Sequence, residues 1–419
     1  MKRELRSTGA AAAIAVAILG LAANCSAATI TLPEAIARAL RYAPAVEAAN
    51  AAGELSRAHA DEDRAALFPT ASAGAEYYQA PGYSQVITNR GLSAAMLSLD
   101  YTAWDWGRRA AQLRAAQYVS EAAQLGVTAA RAQIVFDTAS AYFDLARAGD
   151  TVRDLNGSLD RLARYVATVA ALRKSGRATV SDVLKVRSSR DSVELALAAA
   201  AGDRERAASD LGALINMSGN DFDVAEPSGV PPKPSGDLAR SPVQQAAQRA
   251  IASAKMQIKA ARAERYPTVK LAFTAGFVGI DPPATIDRNF GGSYDTVVSM
   301  PLFDGGAISA RIDQAAAREH AAIAQAREAG YLLSRRMAEA RARYDQAVHQ
   351  IAVLARAQPT ADDSFALAWT RFLGGGNVTM LEVLDSCRQA NSLRLQRIGQ
   401  LFAAREAAAE VNLLNGKTQ

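Results

Sequence analysis

Two stretches of the chain alternate strictly between apolar and polar positions. They cover residues 69–103 and 267–302, and a turn-rich segment interrupts each of them. In the second stretch Val269, Leu271 and Phe273 fall on one side of an extended backbone, with polar or small residues between them. Alternation of this kind over about ten residues predicts β-strands with one apolar face. Each stretch is therefore expected to form a hairpin.

After each hairpin the spacing of apolar residues becomes helical. Residues 105–174 contain no proline and carry apolar side chains at alternating steps of three and four. These positions are Leu145, Ala148, Val152, Leu155, Leu159, Leu162, Val166 and Val169. Heptad spacing predicts a long helix that supercoils with neighbouring helices. A second long helix is expected over residues 307–373, with a kink at Pro359.

The chain is an internal tandem duplication. Its motifs recur at offsets of 198 to 200 residues, for example Gly176 with Gly376 and Thr179 with Thr379. Chance matches would scatter in offset, so one structural unit occurs twice. The predicted segments are a signal peptide over 1–27, a first repeat over 28–216, an equatorial linker over 217–241 and a second repeat over 242–419, with return helices over 179–216 and 379–415.

The first 27 residues have the features of a secretory signal. Lys2, Arg3 and Arg6 precede an apolar run of 15 residues that ends at Ala23, and small residues follow it. Such a segment predicts export of the protein. The sequence leaves open whether Cys25 is lipidated. Cleavage after Cys25 would leave Cys387 as the one cysteine and exclude an intrachain disulfide.

Charge and composition exclude several classes of function. Removing residues 1–27 takes three basic residues and one acidic residue from a net charge of +5, which leaves +3. A mild excess spread along helices is not the basic patch of a nucleic-acid-binding protein. His59, His320 and His349 lack metal-ligand spacing, and no glycine-rich phosphate loop follows a strand. The sequence therefore predicts neither an enzyme nor a bound cofactor.

Aromatic residues lie near the ends of the expected strands. Trp104, Trp106 and Phe303 are expected at one end, and Tyr77, Phe277 and Tyr294 at the other. Membrane-spanning strands carry aromatic girdles of this kind, although a soluble four-stranded sheet with one buried face would alternate equally. Four strands cannot close a barrel, and open edges would leave backbone groups unpaired in hydrocarbon. Spanning strands would therefore require a closed homo-oligomer, whose copy number the pattern leaves open.

The order of helix, hairpin, long helix, tip and return helix, occurring twice behind a signal peptide, resembles the TolC family of outer-membrane efflux proteins. Three local strings carry the same resemblance: Leu32-Pro33-Glu34-Ala35-Ile36, Leu302-Phe303-Asp304-Gly305-Gly306 and Glu382-Val383-Leu384-Asp385. The resemblance implies a mainly α fold with a β-barrel portion. Three chains would form a long antiparallel coiled-coil α-barrel and a twelve-stranded transmembrane barrel. It also implies an outer-membrane location with a long periplasmic extension, and docking onto a periplasmic adaptor protein and an inner-membrane transporter.

The resemblance also assigns site residues. Glu382, Asp385 and the first-repeat Asp182 fall where the family has an acidic ring at its periplasmic entrance, and such a ring would attract cations. Alternatively, these are solvated acids that the helix dipole favours. Six tip residues match the adaptor-docking region or else form ordinary turns: Gly176, Arg177, Thr179, Gly376, Val378 and Thr379. Leu373 and Val378 stand where some members place a tyrosine and an arginine that latch the entrance, so a latch here must be built differently.

The function implied is passive conduction of substrates from an inner-membrane pump to the exterior, by the outer-membrane channel-tunnel of a tripartite efflux or type I secretion system. The alternative is a soluble periplasmic coiled-coil adaptor or structural protein without a pore. Adaptors carry one helical hairpin flanked by small β domains, whereas this sequence predicts two hairpins with ten-residue strands. Drug, metal, solvent and protein export share this outer component, so the sequence leaves the substrate and the pump class open.

Overall fold

The structure, a computed structural model, describes residues 28–88, 90–217, 222–227, 229–280 and 290–417. The expected signal peptide and Cys25 lie outside these residues. Within the described ranges, no helix is both long enough and apolar enough to cross a membrane.

The chain divides into two compact units. The first, which we call the tip unit, comprises the described residues up to Tyr42, Thr138–Gly229 and Ile351–Phe402. The second, the sheet unit, comprises Ala43–Asp137, Val230–Gln350 and the described residues from Ala403 onward.

Long helices make up most of both units. The helices are α1 (Leu32–Tyr42), α2 (Pro44–Ala65), the short α3 (Gln85–Thr88), α4 (Arg108–Lys174), α5 (Val180–Ile215), α6 (Pro242–Ala263), α7 (Ala307–Leu373) and α8 (Met380–Leu414). The strands are β1 (Ala28–Ile30), β2 (Thr70–Gln79), β3 (Gly91–Trp104), β4 (Phe222–Val224), β5 (Thr268–Ile280) and β6 (Phe290–Ser299). A mainly α fold with an antiparallel sheet, predicted from the sequence, is confirmed.

The duplication is visible in the lengths of equivalent helices. Both α2 and α6 have 22 residues, and both α4 and α7 have 67. Pro359 lies inside α7, and the helix continues through it. The helical segment before the first hairpin is interrupted between α1 and α2, because Ala43 adopts an extended conformation and Pro44 starts a new helix. A proline disfavours helical geometry in the residue before it, which explains this break.

Four strands of the sheet unit form one antiparallel sheet in the order β2-β3-β5-β6. One row of paired residues across the sheet is Ala71, Leu99, Phe273 and Tyr294. The next row is Ser72, Ser98, Thr274 and Ser293. Directly paired residues point to the same face, and successive residues point to opposite faces. The predicted alternation therefore gives the sheet one mainly apolar face and one face of mostly polar and small residues.

The core of the tip unit lies where α4, α5 and α8 meet. Its buried members are Leu162, Val169, Val183, Val186, Met380, Val383, Leu384 and Cys387. The heptad positions of α4 turn toward neighbouring helices: Leu145, Ala148, Leu155, Leu162 and Val169 are buried, while Val152, Leu159 and Val166 are half-buried. The heptad pattern is thus satisfied by packing within one chain.

Part of the linker between the repeats forms a strand that the sequence did not predict. Its segment Phe222–Val224 forms β4, which pairs in parallel with β1. Phe222 is 1% exposed, and the hydroxyl of Tyr142 donates a hydrogen bond to the backbone carbonyl of Ala225 at 2.7 Å. A strand of three residues is too short for an alternating pattern to be recognised in the sequence. The buried ring of Phe222 stabilises β4.

Candidate functional site

The first tip is a helix end closed by a left-handed glycine. Gly176 has φ +79°, and its N–H donates to the Arg173 carbonyl at 3.0 Å. The N–H of Arg177 donates to the Leu172 carbonyl at 2.9 Å. These two bonds form a Schellman motif, in which glycine avoids the steric cost of positive φ. The motif ends α4 two residues before Thr179 begins α5.

The second tip is one residue longer than the first. Its left-handed glycine is Gly375, with φ +76°, and the N–H of Gly376 donates to the Arg371 carbonyl at 2.9 Å. The structural equivalent of Gly176 is therefore Gly375, and the expected match of Gly176 with Gly376 is off by one residue. The extra residue is taken up before Thr379, since Val378 N–H bonds back to the Gly376 carbonyl at 2.8 Å.

Asp182 and Thr179 cap α5 reciprocally. The Thr179 Oγ1 accepts a hydrogen bond from the Asp182 N–H at 3.1 Å, while Asp182 Oδ2 accepts from the Thr179 N–H at 2.9 Å. This capping box satisfies two backbone donors that the helix itself leaves free. The carboxylate of Asp182 is therefore engaged in local structure, which agrees with the alternative interpretation of this acid.

The two acids of the second repeat have different surroundings. Asp385 forms an exposed ion pair with Arg388 one turn along α8. Glu382 sits in the first turn, where its N–H bonds to Thr379 Oγ1 at 3.3 Å. Its carboxylate is exposed and has no hydrogen-bond or ion-pair partner among the residues that the structure describes. Of the three acids, Glu382 has the freest charge.

The two tips contact each other within the chain. The guanidinium of Arg177 donates to the carbonyl of Leu373, the last residue of α7. Deeper in the tip unit, the rings of Tyr165 and Trp369 lie 4.4 Å apart, and Phe365 packs 5.6 Å from Tyr165. The sequence placed Arg177 at the tip but gave no signal of its acceptor, because a backbone carbonyl has no residue-specific pattern.

A groove of about 710 Å³ lies beside the tips in the same unit. Leu155 of α4 lines its floor, and its walls come from one face of α5 and one face of α8. Lys185 and Arg388 contribute basic side chains near the tip, and Leu384 and Leu395 contribute apolar surface. The groove is thus lined by apolar side chains together with Lys185 and with Arg388, which is paired with Asp385.

At the base of the sheet, Asp105 organises the turn from β3 into α4. Its carboxylate accepts hydrogen bonds from the Gly107 N–H at 3.1 Å, the Arg109 N–H at 3.0 Å and the Arg109 Nε at 2.8 Å. Arg109 also donates to the carbonyls of Ala66, at 2.7 Å, and Thr102. Burial favours the neutral acid, but these hydrogen bonds outweigh it and hold the pKa of Asp105 below its ordinary value. This pair was not predicted from the sequence, although the spacing of four residues between Asp105 and Arg109 is a signal that the sequence carries.

The aromatic residues at this end of the sheet form a cluster. Trp106 packs against Tyr266 with ring centroids 5.0 Å apart and against Trp104 at 6.0 Å. Trp106 itself has φ +55° in the turn. Phe303 is 92% exposed beyond the end of β6. Trp104 and Trp106, both expected at a membrane interface, lie together at the helical end of the strands, whereas Phe303 makes no ring contact among the described residues.

Of the three aromatic residues that were expected at the other end of the sheet, two lie near strand ends and one does not. Phe277 packs on Phe290 with centroids 5.2 Å apart, and Tyr77 lies two residues before the end of β2. Tyr294 differs from the expectation, because it lies at the middle of β6, opposite Phe273. The strand begins at Phe290, earlier than the alternation indicated, since glycines at its start obscured the pattern.

Cys387 is buried beneath the tips, where burial raises the pKa of its thiol. The described residues contain no group of three or more His, Cys, Asp or Glu side chains that could hold a metal ion.

Comparison with known proteins agrees with this architecture. A family model described as outer membrane efflux protein matches residues 35–217 and 234–417. Protein CyaE of Bordetella pertussis is 29% identical over 338 residues, covering 75% of this chain and 69% of the relative. The cobalt-zinc-cadmium resistance protein CzcC of Cupriavidus metallidurans is 23% identical over 322 residues, with 74% of each chain covered.

A solved structure is similar over nearly the whole chain. The outer membrane protein VceC of Vibrio cholerae has a TM-score of 0.82 and 22% sequence identity, and the match covers 93% of this chain and 97% of VceC. The family model matches twice, once in each repeat, over more than half of the chain. The chain therefore belongs to the outer membrane efflux protein family, whose members are channel proteins of the outer membrane.

Proposed function

We propose that three copies of this chain form a closed outer-membrane channel, which conducts substrates passively from an inner-membrane pump to the exterior. The observation that carries the proposal is the four-stranded sheet, with one apolar face, one polar face and two free edges. Among the described residues, β2 pairs with β3 alone and β6 with β5 alone. Joining β6 of each copy to β2 of the next would leave no edge in the bilayer.

In this assembly the apolar face of the sheet contacts lipid and the polar face lines the channel. The hydroxyl groups of Thr274 and Ser293, 2.8 Å apart, would belong to the channel wall. The rings of Trp104, Trp106 and Phe303 would lie at one membrane interface, where aromatic rings are favoured. Tyr77 and Phe277 would lie toward the other interface, and the mid-strand Tyr294 would face lipid.

The tips form the periplasmic entrance in this proposal. Asp182, Glu382 and Asp385 stand at the starts of α5 and α8, and three copies bring their carboxylates around one axis. The capping of Asp182 and the pairing of Asp385 with Arg388 leave Glu382 as the main source of free negative charge. A ring of one sign attracts counter-ions, so the entrance favours cations.

The same tips offer a surface for a periplasmic adaptor protein. Gly176, Arg177 and Thr179 are exposed in the first tip, and Gly376 and Thr379 are exposed in the second. Val378 is half-buried between them. The neighbouring groove, with apolar lining residues and the basic Lys185, fits an amphipathic helix that carries acidic residues.

We infer that the channel favours cationic compounds as transported substrates. The name of the relative CzcC refers to resistance to cobalt, zinc and cadmium, which form cations. An entrance with free Glu382 carboxylates fits cargo of that charge. Deleting the protein would then sensitise cells to cationic compounds more than to anionic compounds of similar size, and equal sensitisation would contradict the assignment.

One experiment tests the channel itself. Membranes from cells that make the full-length chain are separated on a density gradient, and the native mass of the extracted protein is measured in detergent. The proposal expects the protein in the outer-membrane fraction at three times the mass of one mature chain. A monomer in the soluble periplasmic fraction would overturn it and favour an adaptor or structural protein without a pore.

A further inference from the structure

A cleft of about 610 Å³, which we call the polar cleft, lies in the sheet unit beside the helices that lead into and out of the sheet. The last turn of α2, the end of α6 and the first turns of α4 and α7 line it. Its volume falls within the range of about 300–1,000 Å³ that is typical of small-molecule sites. One chain supplies every lining residue, so the cleft forms without a second copy.

The two long helices line the polar cleft with equivalent positions of the duplicated repeat. Gln112 of α4 and Arg311 of α7 lie equally far from the first residue of their helices, and so do Val119 and Arg318. Arginine occupies these two positions in the second repeat alone. The repeat therefore folds without a charge at either position, which indicates that the arginines serve something other than the packing of the helix.

Small side chains leave the space of the cleft open. Ala115, Ala260 and Ala315 all line it, and they are 3%, 6% and 3% exposed. Close-packed helices leave few voids larger than a water molecule. Three buried alanines from three helices thus keep a volume free that larger side chains would fill.

The polar side chains around these alanines have no partners in the chain. Among the described residues, the side-chain amides of Gln112, Gln257 and Gln314 make no hydrogen bond. In the same part of the chain, Asp63 and Arg318 form neither a hydrogen bond nor an ion pair. Each amide offers both donors and an acceptor. Polar groups that converge on a concave surface in this way are typical of a small-molecule site.

The charges of the polar cleft sum to zero. Arg311 pairs with Glu264 at 3.2 Å between the guanidinium and carboxylate atoms. The remaining acid, Asp63, and the remaining base, Arg318, stand on different helices. A simple anion would pair with Arg318 and be repelled by Asp63, and a simple cation would do the reverse. A molecule that carries both charges satisfies both residues, so the cleft discriminates against either single charge.

We propose that the polar cleft binds a small zwitterionic molecule. Its cationic group pairs with Asp63, its anionic group pairs with Arg318, and polar atoms between them bond to the glutamine amides. A short peptide with free termini has this chemistry, since it carries an ammonium group, a carboxylate and amide groups between them. The inference goes beyond the proposed channel and does not rest on it, because the cleft lies within one copy.

Calorimetric titration of the full-length protein in an uncharged detergent tests the need for both charges. The probe is trialanine, which carries both charges at neutral pH. The matched probes are its N-acetyl form, which lacks the ammonium group, and its C-terminal amide, which lacks the carboxylate. We expect saturable binding of trialanine and binding about tenfold weaker for each capped form, as for a lost charged hydrogen bond. No binding, or equal binding of the three probes, would overturn the proposal.

Two substitutions test whether the peptide binds in this cleft. Arg318→Val introduces the residue that the first repeat carries at the equivalent position, and Asp63→Asn removes the other charge at nearly constant size. Each is expected to weaken trialanine binding about tenfold and to leave unchanged the binding of the capped form that lacks the matching charge. Arg336→Val and Asp61→Asn change exposed residues outside the cleft on the same two helices and should bind trialanine like the unaltered protein. Equal losses in the controls would mean that trialanine binds elsewhere, and the proposal would fail.

Filling the cleft provides a measurement that leaves its charges intact. Ala116 is half-buried and lines the cleft, so Ala116→Leu is expected to abolish trialanine binding. Ala123→Leu, one heptad further along α4 at a half-buried position outside the cleft, is the matched control and should retain binding. Unchanged affinity in Ala116→Leu would contradict the site. The native mass of the same samples keeps this test apart from the channel: three copies that fail to bind trialanine refute the cleft alone, and one copy that binds it refutes the channel alone.

Discussion

Arg177 in the first tip donates a hydrogen bond to the backbone carbonyl of Leu373 at the end of the second long helix. The last carbonyls of a helix have no partners within it, and they carry partial negative charge. A guanidinium is well suited to this acceptor because it is charged and presents several donors in a plane. The two tips of one chain are thereby joined by a side chain from only one of them.

Replacing Arg177 with alanine is expected to loosen the second tip. The carbonyl of Leu373 loses its donor, so backbone amides of residues 374–378 should exchange with deuterium several-fold faster. Arg173→Ala is a matched control, since Arg173 is an exposed arginine at the same helix end, without a side-chain partner among the described residues. Equal exchange in both variants would mean that the Arg177 bond does not restrain the tip.

The three entrance acids should contribute unequally to ion selectivity. Glu382→Gln removes the freest carboxylate and is expected to reduce the preference for cations over anions most, measured as the reversal potential of single channels in a salt gradient. Asp182→Asn should act mainly on the start of α5, because that carboxylate caps the helix. Asp385→Asn leaves Arg388 unpaired and should have an intermediate effect. A larger change for Asp182→Asn than for Glu382→Gln would contradict this order.

Long-range periodicity made much of the fold predictable. The strand faces followed from alternation, because a period of two fixes which residues share a face whatever the exact strand ends. The long helices followed from heptads without proline. Each of these signals extends over ten or more residues, so an error of one or two residues does not remove it.

Features that depend on single contacts could not be predicted from the sequence. Three consecutive glycines at 374–376 can each adopt positive φ, so the pattern could not show that Gly375 closes α7. The pairing of β4 with β1 joins short segments far apart in the chain. That Glu382 has the freest charge could be concluded only from the structure, which shows the partners of Asp182 and Asp385. The spacing of three residues between Asp385 and Arg388 did indicate their ion pair in the sequence.

Two glycines in one row of the sheet should tolerate a methyl group differently. A Cβ on Gly276 would lie 2.1 Å from the Ala95 carbonyl oxygen, whereas a Cβ on Gly74 would meet nothing within 4 Å. Met96 pairs with both glycines, so the two positions share a row. We expect Gly276→Ala to lower the yield of membrane-inserted oligomer strongly and Gly74→Ala to leave it nearly unchanged. Equal yields would show that β3 and β5 can separate at this point without cost.

Asp105 should make the stability of the protein depend on pH in the acid range. Its pKa in the folded chain lies below the ordinary value of 3.8, so its ionised form is stabilised by folding. That contribution is complete above the unfolded pKa and is lost as the pH falls through the folded pKa. Asp105→Asn should therefore be less stable than the unaltered protein at about pH 6, by roughly 1 kcal/mol as for a lost helix cap. The difference should begin to shrink below about pH 4, near the pKa of the unfolded chain, and should disappear once the pH falls below the folded pKa of Asp105.

Heating in detergent while following the helical circular dichroism signal measures this difference. Arg109→Ile provides the matched test of the partner, because Ile308 occupies the equivalent position after Asp304 in the second repeat. The stability of the variant without Arg109 is expected to depend less on pH than the stability of the unaltered protein. A gap between Asp105→Asn and the unaltered protein that stays constant from about pH 6 to pH 3 would show that this carboxylate does not couple folding to protons.

The buried ring of Phe222 should anchor the linker between the repeats. Phe222→Ala removes a fully buried ring and is expected to lower the free energy of unfolding by about 3–5 kcal/mol. Tyr142→Phe keeps its ring but loses the hydroxyl that donates to the carbonyls of Ala225 and Ile30, at about 1–3 kcal/mol. Val86→Ala, at a position that is 97% exposed, is the control and should have little effect. Because Tyr142 bonds to Ala225 just beyond β4, the two changes act on one contact, and the double variant should cost less than the sum. Denaturant titration followed by circular dichroism measures all four proteins, and additive losses would show that the ring and the hydroxyl hold the linker independently.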